Sequence, residues 1–417
     1  MSGSGSSRNQ ALDVIRGVAI LMVIIHHCGP EMIPSQPELT GAAGAAFWGL
    51  KNLGWSGVDL FFVLSGFLIG GLLFSEIERS GGIRCGRFWL RRGFKIWPSY
   101  YVLLLVLALS AQTRWLDLDS AWQGLQDLLV HGLFLQNYLD QGVNGPTWSL
   151  AVEEHFYLLL PLLLLLLRTG TGAGGVPARR YHVFFAVAIG GGLLLRSWHV
   201  LIDGGPREND FMVSHFRFDS LILGVALQYY RRNYGPRLGG LLRRHPRLLL
   251  ALAVTLLLPT QLSSRNDPFM FSIGFTSLAA GYGILLLLVL EFAPAQTRLL
   301  SAAQPLAVVG RWSYNIYLWH FFVPLLVPGY WAAQQHIGGL GAPPALIVAL
   351  QSVVYAALVI AAGALMTWLV ENPALAWRDR WLPARTPVSV MGSAAPAAGV
   401  PAAGAPAAGA PGSDAGR

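Results

Sequence analysis

Four ionisable side chains interrupt the first apolar segment of the chain, residues 12–28, which reads LDVIRGVAILMVIIHHC: Asp13, Arg16, His26 and His27. An ionisable group at the centre of a membrane helix costs about 2.5–3.5 kcal/mol and usually has a function. Arg16 and His27 are separated by about three helical turns, so they share one face, roughly 16 Å apart. Asp13 lies one turn before Arg16 and can pair with it. A guanidinium binds anions and an imidazole is a base at neutral pH, so this face could support proton transfer beside an anionic ligand.

His26 points about 80–100° away from that face, so we expect His27 rather than His26 to take part in chemistry. A structural interpretation stays open, in which Asp13 and Arg16 mark one membrane interface, with Arg16 reaching the water, and His27 marks the other.

Composition predicts a polytopic helical membrane protein. The chain has 417 residues, of which 54% are hydrophobic and only 12% charged, whereas soluble domains carry about 25% charged residues. Its mean hydropathy is +0.50. The net charge of +8 reflects basic loops and does not indicate nucleic-acid binding. The two cysteines, Cys28 and Cys85, indicate neither a disulfide framework nor a metal site. We expect the first segment to be a retained helix rather than a cleaved signal peptide.

Ten apolar segments are candidate spans. They cover residues 11–29, 55–75, 97–112, 149–168, 181–202, 212–230, 247–261, 271–291, 306–328 and 345–370.

Basic residues accumulate in every even-numbered connection and after the last span. They are Arg79, Arg84, Arg87, Arg91, Arg92 and Lys95; Arg168, Arg179 and Arg180; Arg231, Arg232, Arg237, Arg243, Arg244 and Arg247; Arg298 and Arg311; and Arg378, Arg380 and Arg385. The positive-inside rule then predicts that both termini lie in the cytoplasm. We expect the protein to lie in the plasma membrane.

Residues 121–138 would invert this topology if they spanned the membrane, so we interpret them as an amphipathic or re-entrant helix. We predict a flexible lead over residues 1–10, a transmembrane domain over 11–380, and a disordered tail rich in Ala, Pro and Gly over 381–417.

Further polar clusters interrupt the later spans. They are Asp59 in GVDLFFVLSGFLI; Arg91, Arg92 and Lys95 in RRGFKIWPSYY; Glu153 and Glu154 in WSLAVEEHFYLLLP; Arg217 and Asp219 in FRFDSLILG; Ser313, Tyr317 and His320 in SYNIYLWH; and Glu371 in LVENP. Arg217 and Asp219 are possible partners, and Ser313, Tyr317 and His320 share one helical face.

Each cluster also has a structural interpretation. Arg91, Arg92 and Lys95 could serve only as topology determinants. The carboxylates with Arg217 could form buried structural ion pairs. The aromatic residues of the ninth span could simply pack, and Glu371 before Asn372 and Pro373 could mark an ordinary helix end.

Taken together and in this order, these motifs resemble the acyltransferase-3 family of integral membrane O-acyltransferases over about residues 10–380. The family's motif of an arginine, ten residues and a histidine falls on Arg16 and His27. The family often has arginine where this chain has Lys95, which keeps the charge but loses the bidentate fork.

The resemblance implies transfer of an acyl group, commonly acetyl, from acyl-CoA to a hydroxyl of a surface glycan, a lipid or a glycosylated natural product. Acyl transfer needs a base, donors for the oxyanion, and cations for the phosphates of CoA. We expect His27, Glu153, Glu154 and Asp59 at the catalytic centre, with one of the two glutamates orienting the imidazole.

We expect the other candidate residues to divide between the two substrates. Arg16, Arg91, Arg92 and Lys95 are assigned to acyl-CoA; Arg217, Asp219, Ser313, Tyr317 and His320 are assigned to the acceptor. The 16 Å from Arg16 to His27 matches the scale of a pantetheine arm. No metal is expected, the lipid bilayer is the expected environment, and the oligomeric state stays open.

Two other classes of function are left open by the residues themselves. A secondary transporter could relay protons through His27, Glu153 and Asp219, although the two halves of the chain show no internal repeat. A non-catalytic scaffold explains the intramembrane charges poorly.

The predicted topology can be tested by labelling single-cysteine variants with an impermeant thiol reagent in intact cells. Cys28 lies outside and should label if it is accessible, and Cys85 lies inside and should not. Cysteines at Gly142 and Gly172 should lie on opposite sides. Labelling of both from the same side, or of Cys85 from outside, would contradict the ten-span topology.

Overall fold

The computed structural model describes residues 10–29, 31–33, 36–110, 118–139, 145–169, 176–293 and 297–383. Within these ranges the regular elements are helices and there are no strands, which confirms the predicted all-α class. The predicted lead before Gln10, the tail beyond Pro383, and positions 142 and 172 lie outside the described residues.

The helices follow the apolar segments of the sequence, because a chain in lipid must satisfy its backbone hydrogen bonds internally. They are α1 (Gln10–His27), α2 (Gly41–Gly54), α3 (Gly57–Ser80), α4 (Cys85–Ser110), α5 (Leu118–Gly132), α6 (Gln136–Leu139), α7 (Thr147–Arg168), α8 (Ala178–Asp203), α9 (Phe218–Asn233), α10 (Gly235–Arg244), α11 (Pro246–Leu257), α12 (Pro259–Leu262), α13 (Phe275–Phe292), α14 (Thr297–Ala302), α15 (Gln304–Trp319), α16 (Val323–Leu326), α17 (Tyr330–Gly338), α18 (Pro344–Met366) and α19 (Asn372–Trp381).

Seven helical stretches in the described ranges are long and apolar enough to cross a membrane: 10–27, 41–80, 85–109, 147–168, 178–203, 270–292 and 344–381. The other three predicted spans coincide with the shorter helices α9, α11 and α15, which have 16, 12 and 16 residues. At 1.5 Å per residue these measure about 18–24 Å, less than the roughly 30 Å of a hydrocarbon core. The count of ten spans therefore stays a prediction.

Two predicted boundaries were wrong. The third span was expected to begin at residue 97, but α4 begins at Cys85, so Arg91, Arg92 and Lys95 lie on a helix and not in a loop. Near the C-terminus, Glu371 does not mark a helix end. A π-helical turn, Thr367–Glu371, leads directly into α19, in which Pro373 is the second residue. A hydropathy pattern does not detect the part of a helix that extends beyond the apolar segment and carries charged residues.

Residues 121–138, which we interpreted as amphipathic, fall in α5 and α6, and the 15-residue α5 is not among the candidate spans. Phe134 between them has a left-handed backbone (φ 59°), so the chain turns sharply there.

Glycines allow the backbones of two pairs of helices to come into direct contact. A Cβ on Gly310 of α15 would lie 1.8 Å from the Asp13 carbonyl oxygen on α1. Where α3 crosses α9, a Cβ on Gly66 would meet the Leu221 carbonyl at 1.9 Å, and one on Gly224 would meet the Val63 carbonyl at 2.1 Å. Small residues at such crossings are the usual basis of helix association in membranes. These crossings hold α1 and α3 against the helices that complete the site.

Replacing Gly224 with alanine should therefore separate α3 from α9 and lower stability by about 1–3 kcal/mol, as overpacking does. Gly191→Ala is the control, because a Cβ there meets nothing within 4 Å and alanine is the better helix former. Thermal unfolding in detergent should show a lower midpoint for Gly224→Ala only. Equal midpoints for the two variants would contradict the close crossing.

Candidate active site

A large cavity with basic walls lies between α1, α3, α4, α7, α15 and α19. We call it the basic cavity, and its volume is about 1030 Å³. Its charged lining comprises the cations Arg16, Arg79, Arg87, Arg91, Arg92, Lys95, Arg311 and Arg378, and the carboxylates Glu76, Glu78 and Glu153. Eight cations against three carboxylates make it suited to a polyanionic ligand.

All four residues assigned to the donor line this cavity. Arg16 pairs with Asp13 at 3.2 Å, as the spacing predicted. Arg92 lies with its guanidinium carbon 5.5 Å from the Tyr157 ring. Lys95 forms an ion pair with the buried carboxylate of Glu371. The cations of α4 are thus held in place by neighbouring helices.

Arg91 connects α4 to the C-terminal helix. It donates to the Leu382 carbonyl and lies 3.5 Å from the Asp379 carboxylate. Arg87 also donates to a backbone carbonyl at this end, that of Pro383. The end of α19 is therefore attached to the cavity wall.

A smaller cavity of about 320 Å³, which we call the histidine cavity, surrounds the other end of α1 and is lined by His26, His27 and His320. The His27 Nδ1 lies 2.9 Å from the Val23 carbonyl oxygen. A carbonyl only accepts, so Nδ1 carries the proton and Nε2 of the neutral ring is left as a base. The His320 ring lies 4.7 Å from the His27 ring, and its Nδ1 donates to the Tyr317 carbonyl at 2.5 Å.

His26, which we do not expect to take part in the chemistry, lines the histidine cavity as well. The two ring centroids are 4.9 Å apart, and the His26 Nδ1 donates to the Lys51 carbonyl at 3.0 Å. The cavity wraps around the end of α1, so an angular difference on the helix does not place the two rings in different surroundings.

The two cavities meet at Val58 and Tyr317, which line both. The predicted face of α15 runs along this junction, with Ser313 in the basic cavity and His320 in the histidine cavity. The Tyr317 hydroxyl forms a 2.6 Å hydrogen bond with the Ser149 hydroxyl. On α1, likewise, Arg16 lines one cavity and His27 the other.

The expected contact between a glutamate and the His27 imidazole is not formed, because the Val23 carbonyl already accepts from Nδ1. Glu153 lines the basic cavity and accepts from Ser65 at 2.8 Å and from Tyr157 at 2.5 Å. Glu154 accepts from the Trp97 indole at 2.9 Å.

The possible pairing of Arg217 with Asp219 is not formed either. Arg217 pairs with Asp59 at 2.5 Å, and both line the histidine cavity. Asp219 pairs with Arg196 of α8 and lines neither cavity. Sequence reasoning missed Arg196, although a single arginine inside the apolar GGGLLLRSW was a signal that a carboxylate must lie nearby.

Sequence reasoning also missed several residues of the cavity walls. Arg79, Arg87, Arg311 and Arg378 were taken only as topology signals, and Arg265 and Glu208 of the histidine cavity carried no pattern.

The apolar helices, the large cationic cavity and the adjoining cavity with a free imidazole nitrogen are typical of a membrane-embedded group-transfer enzyme. A family model described as an acyltransferase domain matches residues 9–371. The chain therefore belongs to this family, the acyltransferase-3 family that its motifs resembled.

Named relatives are O-acetyltransferases. The chain is 26% identical over 349 residues to the peptidoglycan O-acetyltransferase OatA of Listeria monocytogenes, an alignment covering 78% of this chain and 51% of OatA. It is 26% identical to a putative O-acetyltransferase of Staphylococcus aureus strain COL, over 78% of this chain and 52% of the relative. It is 25% identical to the O-acetyltransferase OatA of Staphylococcus aureus strain NCTC 8325, with the same coverage. The chain thus spans about half the length of these curated relatives, and no solved structure matches it.

Proposed function

We propose that this protein is a membrane O-acyltransferase that moves an acyl group, most simply acetyl, from acyl-CoA to a hydroxyl of a sugar or glycosylated acceptor. The observation that carries this proposal is the meeting of the two cavities at Tyr317, with cations on one side and the His27 imidazole on the other. The names of the relatives support the acetyl group and a glycan acceptor.

Acyl-CoA would occupy the basic cavity. CoA carries its charge on phosphates at one end and its thioester at the end of a long uncharged arm. Arg16 of α1 and the cations of α4, Arg92 among them, would bind the phosphates, and the arm would extend towards Tyr317. A volume of about 1030 Å³ lies at the upper end of the range for small-molecule sites.

The acceptor hydroxyl would enter the histidine cavity. The Nε2 of His27 takes the hydroxyl proton as the oxygen attacks the thioester carbonyl. The tetrahedral intermediate then collapses, the carbon–sulfur bond breaks, and the imidazolium returns its proton to the CoA thiolate. The Tyr317 hydroxyl, at the junction of the cavities, is suited to donate to the developing oxyanion.

Positive-inside counting supports a cytoplasmic basic cavity and an outward-facing histidine cavity. A cytoplasmic donor and an external acceptor could then react without either of them crossing the bilayer.

The positions of His27, Glu153 and Asp219 do not support the alternative of a transporter that relays protons through them. His27 lines the histidine cavity, Glu153 lines the basic cavity, and Asp219 lines neither, being bonded to Arg196. The three residues of that relay therefore do not line one common cavity.

The first test concerns the base. His27→Ala should reduce acyl transfer from acetyl-CoA by about 10²–10⁴-fold, the usual contribution of general base catalysis. His26→Ala, which removes a neighbouring ring from the same cavity, should retain much of the activity. Transfer of radiolabelled acetyl to glycan in membranes measures both variants, with expression checked by immunoblot. Equal loss in the two variants, or full activity in His27→Ala, would contradict the assignment.

The second test concerns the donor. Arg92→Gln should raise the KM for acetyl-CoA by about tenfold or more, the effect of a lost charged hydrogen bond, with a smaller change in the KM for the acceptor. Added salt should mimic this effect. Arg244→Gln is the control, because Arg244 is exposed and lines neither cavity. The donor assignment fails if the KM for acetyl-CoA is unchanged in all four of the variants Arg92→Gln, Arg16→Gln, Arg91→Gln and Lys95→Gln. The basic residues would then serve only as topology signals.

A further inference from the structure

Two buried arginine–aspartate pairs lie next to each other between α3, α8 and α9. One pair is fully hydrogen-bonded within the protein, and the other has polar atoms without a partner. One is Arg196 with Asp219, and the other is Arg217 with Asp59. All four side chains are at most 2% exposed, so none of them is placed there to meet bulk water.

The Arg196–Asp219 pair is complete. Its two parallel hydrogen bonds measure 3.0 and 2.7 Å, which is the bidentate geometry of a strong pair. Arg196 also donates to the Phe216 and Ser272 carbonyls, and Thr276 donates to Asp219. Every polar atom of the pair has a protein partner, and neither residue lines the basic cavity or the histidine cavity, so this pair fastens α8 to α9.

The Arg217–Asp59 pair is incomplete. It has one hydrogen bond, from Nη2 to Oδ1 at 2.5 Å. The Arg217 Nε and the Asp59 Oδ2 are buried and have no partner among the described residues. A buried polar atom without a partner costs about 1–3 kcal/mol, so such atoms are rare unless a ligand or water satisfies them.

Both residues line the histidine cavity beside His27. The Nε2 of His320, in the same cavity, is likewise buried without a partner. Three unsatisfied polar atoms, two acceptors and one donor, therefore belong to side chains that surround one small space.

The aromatic walls hold this pair firmly. The Arg217 guanidinium carbon lies 3.7 Å from the centre of the Phe275 ring and 5.9 Å from that of Trp148, and both rings line the cavity. An arginine fixed against an aromatic ring offers its remaining donor at little entropic cost.

We infer that the Asp59–Arg217 pair is the specificity-determining group for the second substrate and binds neighbouring hydroxyls of a polyhydroxylated ring. The Asp59 Oδ2 accepts from one hydroxyl and the Arg217 Nε donates to the oxygen of the next, while the ring packs against Trp148 and Phe275. A monohydric alcohol leaves these atoms unsatisfied and binds poorly, because buried groups without partners reject it. This inference rests on the proposed function only in taking the histidine cavity as the acceptor site.

Ligand binding without acyl-CoA tests the inference independently of catalysis. The full chain in nanodiscs is titrated with methyl glycosides of glucose, galactose and N-acetylglucosamine, and with cyclohexanol, a ring with one hydroxyl. Thermal shift and tryptophan fluorescence report binding, since Trp55 and Trp148 line the cavity. At least one glycoside should stabilise the protein, and cyclohexanol should not.

Matched variants separate binding from structure. Arg217→Lys keeps the charge but loses the Nε donor, so it should weaken glycoside binding by about tenfold or more. Arg196→Lys should lower the unfolding temperature with glycoside affinity unchanged. If Arg217→Lys does not fold, Asp59→Asn is compared with Asp219→Asn in the same way.

The inference is overturned if no glycoside binds, if cyclohexanol binds as well as the glycosides, or if the two lysine variants lose affinity equally. If glycosides bind as expected but the wild-type protein transfers nothing from acetyl-CoA, the proposed function fails while the binding pair stands.

Discussion

A polar group placed among apolar helices must find a partner, and this constraint organises the whole molecule. The first helix carries Arg16 towards one end and His27 at the other, so each side chain needs a polar partner. Arg16 pairs with Asp13 on its own helix. The Nδ1 of His27 uses the carbonyl of Val23, one turn back. Because the Nδ1 of His27 is engaged in this way, Nε2 is the ring nitrogen that can act as a base.

The same constraint explains why the site has two cavities of different character. The cations of α4 are held by the C-terminal segment, through Glu371, Asp379 and the last described carbonyls, and so form a stable wall rather than a flexible loop. At the other end, aromatic rings and the Asp59–Arg217 pair enclose the histidines. A large charged substrate and a small polar one would therefore be bound by different chemistry and meet at Val58 and Tyr317.

Several interactions that look alike in sequence have different functions in the structure. Arg217 and Asp219 are two residues apart, yet each pairs with a distant partner, one in α3 and one in α8. Glu153 and Glu154 are adjacent, yet one lines the basic cavity and the other bonds to Trp97. Adjacent residues on a helix point about 100° apart, so tertiary neighbours decide their roles.

The sequence alone determined the helical class, the order of the main apolar helices and several of the charged and polar residues of both cavities, because hydrophobic runs and intramembrane charges are strong local signals. It determined the shared face of Ser313, Tyr317 and His320, since helical spacing is fixed. It did not determine where α4 begins, which partner each charged residue has, or that His26 joins His27 in one cavity. Those features depend on side chains brought together from helices far apart in the chain, and no local pattern records which helices become neighbours. The close glycine crossings of α1 with α15 and of α3 with α9 are part of that tertiary packing.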